Sequence, residues 1–350
     1  MKILIAIKPN SQLFTTSLKD GLDGIGCDVN IGIDEFWNYA DKYNIINIHW
    51  PNALFNRWSP NSADIEKLTE HIGEIKKTAK IIYTRHNDTP HYSNDSNKLK
   101  CYEIIERNAD LIIHMGNYGI DSFKQKLNNS LIKHSLVHLH IYPNNYDNTV
   151  SQIEARRKLN IREHKFVVLA FGAFRDREET DMVLTEFSAF KLKNKLLLAP
   201  RLNDYLFKNT PNALGIKNIL KKLWSLKLRL GHVLSNGSVS DLDLSYYFAA
   251  ADVVLIQRKK ILNSGNIPMA FFFKKPVIGP NTGNVGELLT ETQNMVFNPE
   301  IPGDLCRALN ETFKKNRIEL GELNYAYAIQ KMNIKNVAKQ YLEAFKSVLQ

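Results

Sequence analysis

The sequence predicts an α/β chain of two doubly wound, parallel-sheet domains. Short apolar runs alternate with longer amphipathic segments along the whole length. The runs are continuous in apolar residues, as in strands buried on both faces of a parallel sheet. The alternation is interrupted at Pro143-Asn144-Asn145, which breaks regular structure. At 350 residues the chain has the length of two domains.

In the first half, apolar runs at 3–7, 45–48, 80–83, 111–114 and 136–139 read as strands, and 62–78 and 98–108 read as helices between them. The order β-α-β-α implies a parallel sheet. The second half repeats it, with strands at 166–171, 195–198, 231–234, 253–256 and 276–278. Helices are expected at 180–191 and 244–251, and a final amphipathic helix at 333–349. The domains are placed at residues 1–148 and 149–332, with 333–350 as a terminal helix. No repeat or low-complexity tract is present.

Composition excludes several classes. Hydrophobic residues make up 44%, ordinary for a globular chain. No apolar run approaches the roughly 18 residues of a membrane helix. Met1-Lys2-Ile3-Leu4-Ile5 enters a strand directly, without a signal-peptide cleavage pattern. Cys27, Cys101 and Cys306 form no metal or redox motif and are expected as reduced thiols in a cytoplasmic protein. Net charge is +10. Residues 1–150 hold 16 basic and 17 acidic side chains, and the remainder hold 30 and 19, so the surplus lies in the second half. There Lys217, Lys221, Lys222, Lys227 and Arg229 interleave with Ile219, Leu220, Leu223, Trp224 and Leu228. Such a segment is either an ordinary solvated helix face or a contact for an anionic membrane surface. No nucleic-acid module motif appears, so no nucleic-acid partner is expected.

Two loops carry the candidate chemistry. Leu262-Asn263-Ser264-Gly265-Asn266 opens a short apolar helix that leads to the strand at Pro276-Val277-Ile278. A helix start presents backbone N–H groups and the positive end of the dipole, an anion site. Arg258, Lys259 and Lys260 lie just upstream. The second loop, Gly172-Ala173-Phe174-Arg175-Asp176-Arg177, ends the strand at 166–171. Glycine and arginine at the carboxyl end of a central strand sit where open α/β sheets bind ligands. The guanidinium fork bonds phosphate bidentately. Each loop also reads as ordinary helix capping.

Taken in order, these segments resemble the bacterial glycosyltransferases of GT-B architecture, close to the family-4 type group of polysaccharide assembly. Ile3-Leu4-Ile5-Ala6 with Pro9-Asn10-Ser11 resembles the first strand and acceptor-side loop. Ile48-His49-Trp50-Pro51 resembles "H-W-P", and Thr84-Arg85-His86-Asn87-Asp88-Thr89-Pro90-His91 resembles "T-x-H-N-x-x-P-H". His138-Leu139-His140-Ile141-Tyr142 resembles "P-H-x-x-Y", and Phe171 to Arg175 resembles "F-G-x-I-R". Ser264-Gly265 resembles the donor loop, and Pro276 through Glu287 resembles "P-V-I…G…E". The match spans the whole chain. It implies two Rossmann-like domains facing a cleft, the second holding the nucleotide and the terminal helix crossing back to the first.

The sequence also departs from that pattern. The Lys of "R-x-Y-K-G" is replaced by Glu178, an acid that would repel a diphosphate unless it points away; Arg177 is a possible substitute. The two Glu of retaining members fall on Ile261 and Met269, so the pair is missing, which points to inversion. Asp241-Leu242-Asp243 mimics the metal-binding D-x-D of the other major glycosyltransferase fold. Here Ser240 as N-cap with acids in the first turn explains it. No metal and no cofactor are expected.

The resemblance implies sugar transfer from a UDP- or GDP-linked donor to a glycan or lipid-linked acceptor in surface polysaccharide assembly, at the cytoplasmic side of a membrane. Gly172, Arg175, Arg177, Arg258, Ser264, Gly265 and Asn266 would hold the diphosphate, and Glu287 the donor ribose or sugar. Asn10, Ser11, His49 and Asn87 would face the acceptor. His86, with an ordinary pKa near 6.5, and Asp88 are the candidate base and its orienter. Two other readings stay open: a nucleotide-sugar 2-epimerase, and a non-catalytic binding subunit.

Overall fold

The computed structural model describes residues 1–55, 59–90, 95–127, 131–206, 219–220, 232–235 and 239–350. The basic stretch at 217–229, apart from Ile219 and Leu220, and His91 lie outside the described residues. The chain divides into two compact units. Unit 1 is Met1–His140 with Gln330–Gln350, and unit 2 is Ile141–Ile329.

Unit 1 holds a six-stranded parallel sheet in the order β2-β1-β3-β4-β5-β6. The strands are β1 (Lys2–Ile5), β2 (Asp28–Ile31), β3 (Ile45–Ile48), β4 (Lys80–Thr84), β5 (Leu111–His114) and β6 (Lys133–Leu136). The helices are α1 (Leu13–Asp23), α2 (Ile33–Asn38), α3 (Ser62–Ile75), α4 (Ser96–Asn108) and α5 (Asn117–Lys126). Successive strand residues face opposite layers. Leu4, Ile46, Ile81 and Ile112 pack with Leu68, Ile72, Ile105 and Phe123 of α3, α4 and α5. Ile3, Ile5, Ile45, Ile82 and Ile113 pack with Leu18 and Leu22 of α1 and with Val337, Tyr341 and Phe345 near the carboxyl terminus.

Unit 2 repeats the design in the order β12-β11-β10-β7-β8-β9, all pairs parallel. Its strands are β7 (Phe166–Leu169), β8 (Lys195–Leu198), β9 (Val233–Leu234), β10 (Val253–Leu255), β11 (Val277–Pro280) and β12 (Met295–Phe297). Its described helices begin with α6 (Gln152–Lys158), α7 (Arg177–Ala189), α8 (Leu202–Leu206) and α9 (Leu244–Ala250). They continue with α10 (Asn266–Phe272), α11 (Gly283–Glu291), α12 (Asp304–Lys314) and most of α13 (Arg317–Lys331). Phe166, Val168, Leu255 and Ile278 pack against Val183 and Phe187 of α7 and Leu305 and Leu309 of α12. The last helix, α14 (Ile334–Leu349), belongs to unit 1.

Three expectations are corrected. The strand expected at 136–139 is β6, three residues earlier: its polar Lys133, His134 and Ser135 pair with β5 at a sheet edge, where burial is partial. Helix α7 starts at Arg177 rather than 180, because Asp176 caps it by accepting from the Glu179 N–H at 2.8 Å. Ser240 is not an N-cap: its hydroxyl accepts from Asp243 N–H in a turn, and α9 starts at Leu244.

Candidate functional site

In unit 2 the chain leaves β7 towards β8 on one side, while β10 lies on the other. The strand order therefore reverses between β7 and β10. The crevice outside the carboxyl ends at such a point is the general ligand site of open α/β sheets. The loops that border it are Gly172–Arg175 and Gln257–Arg258.

Three nitrogen donors converge on Gly172. A Cβ there would stand 2.9 Å from Gln257 Nε2, 3.4 Å from Arg258 Nη2 and 3.4 Å from Asn266 Nδ2. Gln257 also donates to the Gly172 carbonyl. Gln257 and Arg258 are buried, so they are held by packing. Arg258 is fixed further by Glu179, whose Oε2 accepts from its Nη1 at 2.6 Å and from the Arg175 backbone N–H at 3.1 Å. Burial raises the Glu179 pKa, and Arg258 opposes that rise. The result is a preorganised cradle of N–H groups whose one full positive charge is matched by a buried carboxylate. Gln257 and Glu179 are absent from the residues singled out in the sequence. Asp176-x-x-Glu179 does carry the spacing of a helix-capping pair; Gln257 leaves no signal beyond following a buried strand.

Arg175 and Glu179 also line an open groove of about 670 Å³, with Arg177, Glu178, Lys259, Lys260 and Glu300. Glu178 does not confront this groove as a bare acid, because Lys259 Nζ donates to its Oε2 at 2.9 Å. Arg177 is exposed and pairs with Asp181 at 3.1 Å. Neither surface pair contributes much stability.

The Ser264 turn is shaped from below by α11. Gly283 has φ +61°, and a Cβ on it would lie 2.1 Å from Ile261 O. Asn284 Nδ2 donates to Asn263 Oδ1 at 2.8 Å. Ser264 is buried. Gly265 has an ordinary helical φ of −63° and open space where a side chain would stand. Glu287 is half-buried on α11. The Tyr327 pKa is raised by burial first, then by Glu291 and Glu287.

In unit 1 the order reverses between β1 and β3. Asn10, with φ 55°, and Ser11, whose hydroxyl donates to Lys8 O at 2.6 Å, form an exposed turn after β1. His49 follows β3, and His86, Asn87 and Asp88 follow β4. Phe14 of α1 gathers the rings. It stacks on His140 at 4.5 Å and meets His86 and His49 edge-on at 4.9 and 5.7 Å. Trp50 stacks on His86 at 4.4 Å and 12°. His49 Nδ1 and His86 Nε2 are 2.9 Å apart.

The expected titration of His86 near neutral pH is corrected. Burial first, and then His140, push its pKa down to about 3. His49 is held well below its usual value by burial, His86 and His140. Both rings are neutral at pH 7. Asp88 is half-exposed and accepts from Nη2 of the buried Arg85, which also donates to Gly119 O at 2.8 Å. The Tyr102 hydroxyl donates to Asn52 Oδ1 at 3.2 Å, and its pKa is raised mainly by burial, with Asn87 opposing the rise. Among the described residues, no three His, Cys, Asp or Glu side chains gather as a metal-binding set. No described helix is long and apolar enough to cross a membrane.

No known family profile matches the chain, and no curated protein is detectably similar in sequence. Solved structures do match in shape. Sucrose-phosphate synthase from Thermosynechococcus elongatus is 13% identical with a TM-score of 0.75, over 99% of this chain and 98% of that one. HepE of Anabaena, in complex with UDP-glucose, is 16% identical with a TM-score of 0.68, over 99% of this chain and 100% of its own. A glycosyltransferase from Rickettsia africae is 13% identical with a TM-score of 0.65, over 100% and 98%. Likeness of this extent at such low identity is a likeness of fold. With two parallel six-stranded units, this chain has the GT-B architecture.

Proposed function

We propose that this protein is a glycosyltransferase that draws a sugar from a UDP- or GDP-linked donor, with the nucleotide diphosphate bound at the β7–β10 crevice of unit 2. One observation carries the reading: the Gln257, Arg258 and Asn266 nitrogens converge on the space beside Gly172. As the bond from the sugar's anomeric carbon breaks, the nucleoside diphosphate leaves with developing negative charge, and preorganised N–H donors stabilise such charge most when water is excluded. Gly172, Arg175, Arg258, Ser264, Gly265 and Asn266 hold the diphosphate in this reading, with Arg177 at its groove side and Glu287 towards the ribose or sugar. The complex of HepE with UDP-glucose supports it by analogy of fold.

On the acceptor side the reading uses Asn10, Ser11 and Asn87, while His49, buried and 2.9 Å from His86, backs that ring rather than facing the acceptor. The proposed course is inverting and metal-independent. Asp88 then takes the role of base, because a ring with a pKa of about 3, as at His86, is a weak base at neutral pH. A glycan or lipid-linked acceptor for surface polysaccharide, met at the cytoplasmic face of an anionic membrane, fits the surplus of 30 basic over 19 acidic residues in 151–350. Added salt weakens such a contact.

The test is incubation with UDP-, GDP- and dTDP-sugars, with and without acceptor glycans, followed by NMR of the products. A glycoside of opposite anomeric configuration is expected, and a retained configuration removes the need for Asp88 as base. Arg175→Ala is expected to lower kcat/KM by about 10- to 100-fold, since charged hydrogen bonds contribute about 1.5–3 kcal/mol. A C2-epimerised donor without acceptor would identify an isomerase. Nucleotide binding without turnover would identify a binding subunit, and no nucleotide binding would overturn the assignment.

A further inference from the structure

The charged groove of unit 2 opens into an apolar pocket. Lys259 and Glu300 line both the groove, of about 670 Å³, and the pocket, of about 270 Å³. The pocket lies between α7 and the segment that joins β12 to α12. Met182, Phe297, Pro299, Ile301, Pro302 and Leu305 form its apolar wall. Ile301 is 55% exposed, so this wall reaches the surface. The oxygens of the two other polar side chains that line it, Glu186 and Asn298, are already bonded. Glu186 accepts from the Gly303 and Cys306 N–H groups at 2.8 and 3.0 Å. Asn298 Oδ1 accepts from the Glu300 N–H at 3.0 Å. A polar occupant would find few partners here, and an apolar one needs none.

Along the groove most charges are matched. Glu179 holds Arg258 at 2.6 Å, and Asp176 accepts from the Glu179 N–H at the start of α7. Lys259 Nζ donates to Glu178 Oε2 at 2.9 Å and lies 3.7 Å from Glu300 Oε1. Arg177 pairs with Asp181. The Arg175 guanidinium and the exposed Lys260 ammonium form no ion pair among the described residues. Two unmatched cations in one groove attract a phosphoryl group. A free phosphate would leave the adjoining pocket empty. A peptide would bring backbone N–H and C=O groups into it without partners. An isoprenoid or acyl chain carries no such groups, and its burial beside Ile301 and Phe297 is favourable.

We infer that groove and pocket together bind one phosphoryl lipid, its phosphoryl group against Lys260 and its chain passing Lys259 into the pocket beside Ile301. The head then sits next to the donor cradle, because Glu179 lines the groove and also holds Arg258. This deepens the proposed glycosyl transfer by giving the acceptor a phosphoryl-linked apolar anchor. The role as acceptor rests on the proposed activity; the binding of the lipid does not.

Calorimetric titration of the full-length protein with farnesyl phosphate, farnesol and inorganic phosphate tests it, with UDP as a separate titrant. Farnesyl phosphate is expected to bind at least tenfold more tightly than farnesol or phosphate, and saturating UDP is expected to leave it bound. Equal affinity for farnesyl phosphate and phosphate would mean a plain anion site. Displacement by UDP would put the phosphoryl group in the donor's place. Either result overturns the inference. Lys260→Ala and Ile301→Asp both change exposed side chains, so the fold should tolerate them. Each is expected to weaken farnesyl phosphate at least tenfold and to leave UDP affinity within threefold of wild type. Unchanged farnesyl phosphate affinity in either variant overturns the site equally. If the protein binds no nucleotide, the proposed function fails while the farnesyl phosphate titrations still decide the lipid site.

Discussion

Gly172 is where one hydrogen in place of a methyl group matters most. Alanine there would place Cβ 2.9 Å from Gln257 Nε2 and fill the space on which the three donors converge. The clashing atom ends a flexible side chain, so the fold can adjust, and the expected loss of stability is below about 1 kcal/mol. In the proposed site the methyl would crowd the three side-chain nitrogens beside Gly172. Gly172→Ala should weaken UDP or GDP affinity at least tenfold, about 1.4 kcal/mol, with Tm little changed. Gly265→Ala is the companion, because nothing lies within 4 Å of its added methyl and its φ is ordinary. Its Tm should hold or rise slightly, so any loss of affinity reports the ligand itself. Calorimetric titration of both variants decides, and full affinity in Gly172→Ala would sink the cradle. The glycine and arginines proposed for this site are legible in the sequence through their chemistry. The sequence does not reveal that Glu179 holds Arg258, since that pairing joins residues 79 apart in sequence. The basicity of His86 is equally illegible, because burial brings Phe14 and Trp50 against its ring and His140 acts on it electrostatically, all from other segments.

Whole elements were legible where they are central and buried. The runs at 45–48, 111–114 and 195–198 coincide with β3, β5 and β8, which are flanked on both sides by other strands. Three of the four sheet edges are different, while the fourth, β9 (Val233–Leu234), falls within the run read at 231–234. Strands β2 and β12 have no counterpart in the sequence reading, and β6 is displaced by three residues. An edge strand is half-solvated, so its composition is mixed and the apolar signal fades. The division between the units, at His140 and at Ile329, likewise follows contacts rather than composition. Close approach of elements writes itself into glycines. Gly283 combines φ +61° with a carbonyl 2.1 Å from its would-be Cβ, so α11 seats against the 261–262 backbone only without a side chain. Gly283→Ala should cost about 2–4 kcal/mol and tilt the Ser264 turn. Chemical denaturation measures the first effect and nucleotide titration the second. A variant as stable as wild type would show that the turn is not held this way.

At the scale of the whole molecule, charge and protonation divide the two units. Among the described residues, the histidines held below their usual pKa are His49, His86, His114 and His134, all in unit 1. Burial is the first cause in each case, and for His114 and His86 the value falls to about 3. The unfolded chain then binds protons that the folded chain refuses. A depressed histidine therefore withdraws stability as pH falls below the unfolded value near 6.5, and the loss grows until the folded value is reached. For a ring as buried as His114 this amounts to about 2 kcal/mol at pH 5; the more exposed His134 contributes less. The raised carboxyls Glu106 and Glu179 act with the opposite sign, gaining as they are protonated. Their gain sets in above the reference near 4.3, with one such carboxyl in each unit, so it offsets only part of the loss from the four histidines of unit 1. Unit 1 should lose stability through that window while unit 2 changes little. Differential scanning calorimetry from pH 7.5 to 4.5 should show one transition moving down and separating from the other. Trp50 stacks on His86, so its fluorescence should follow the transition that moves. If Tm stayed flat to pH 5, or the transition without a Trp50 signal moved first, the rings of unit 1 would not be buried as neutral groups.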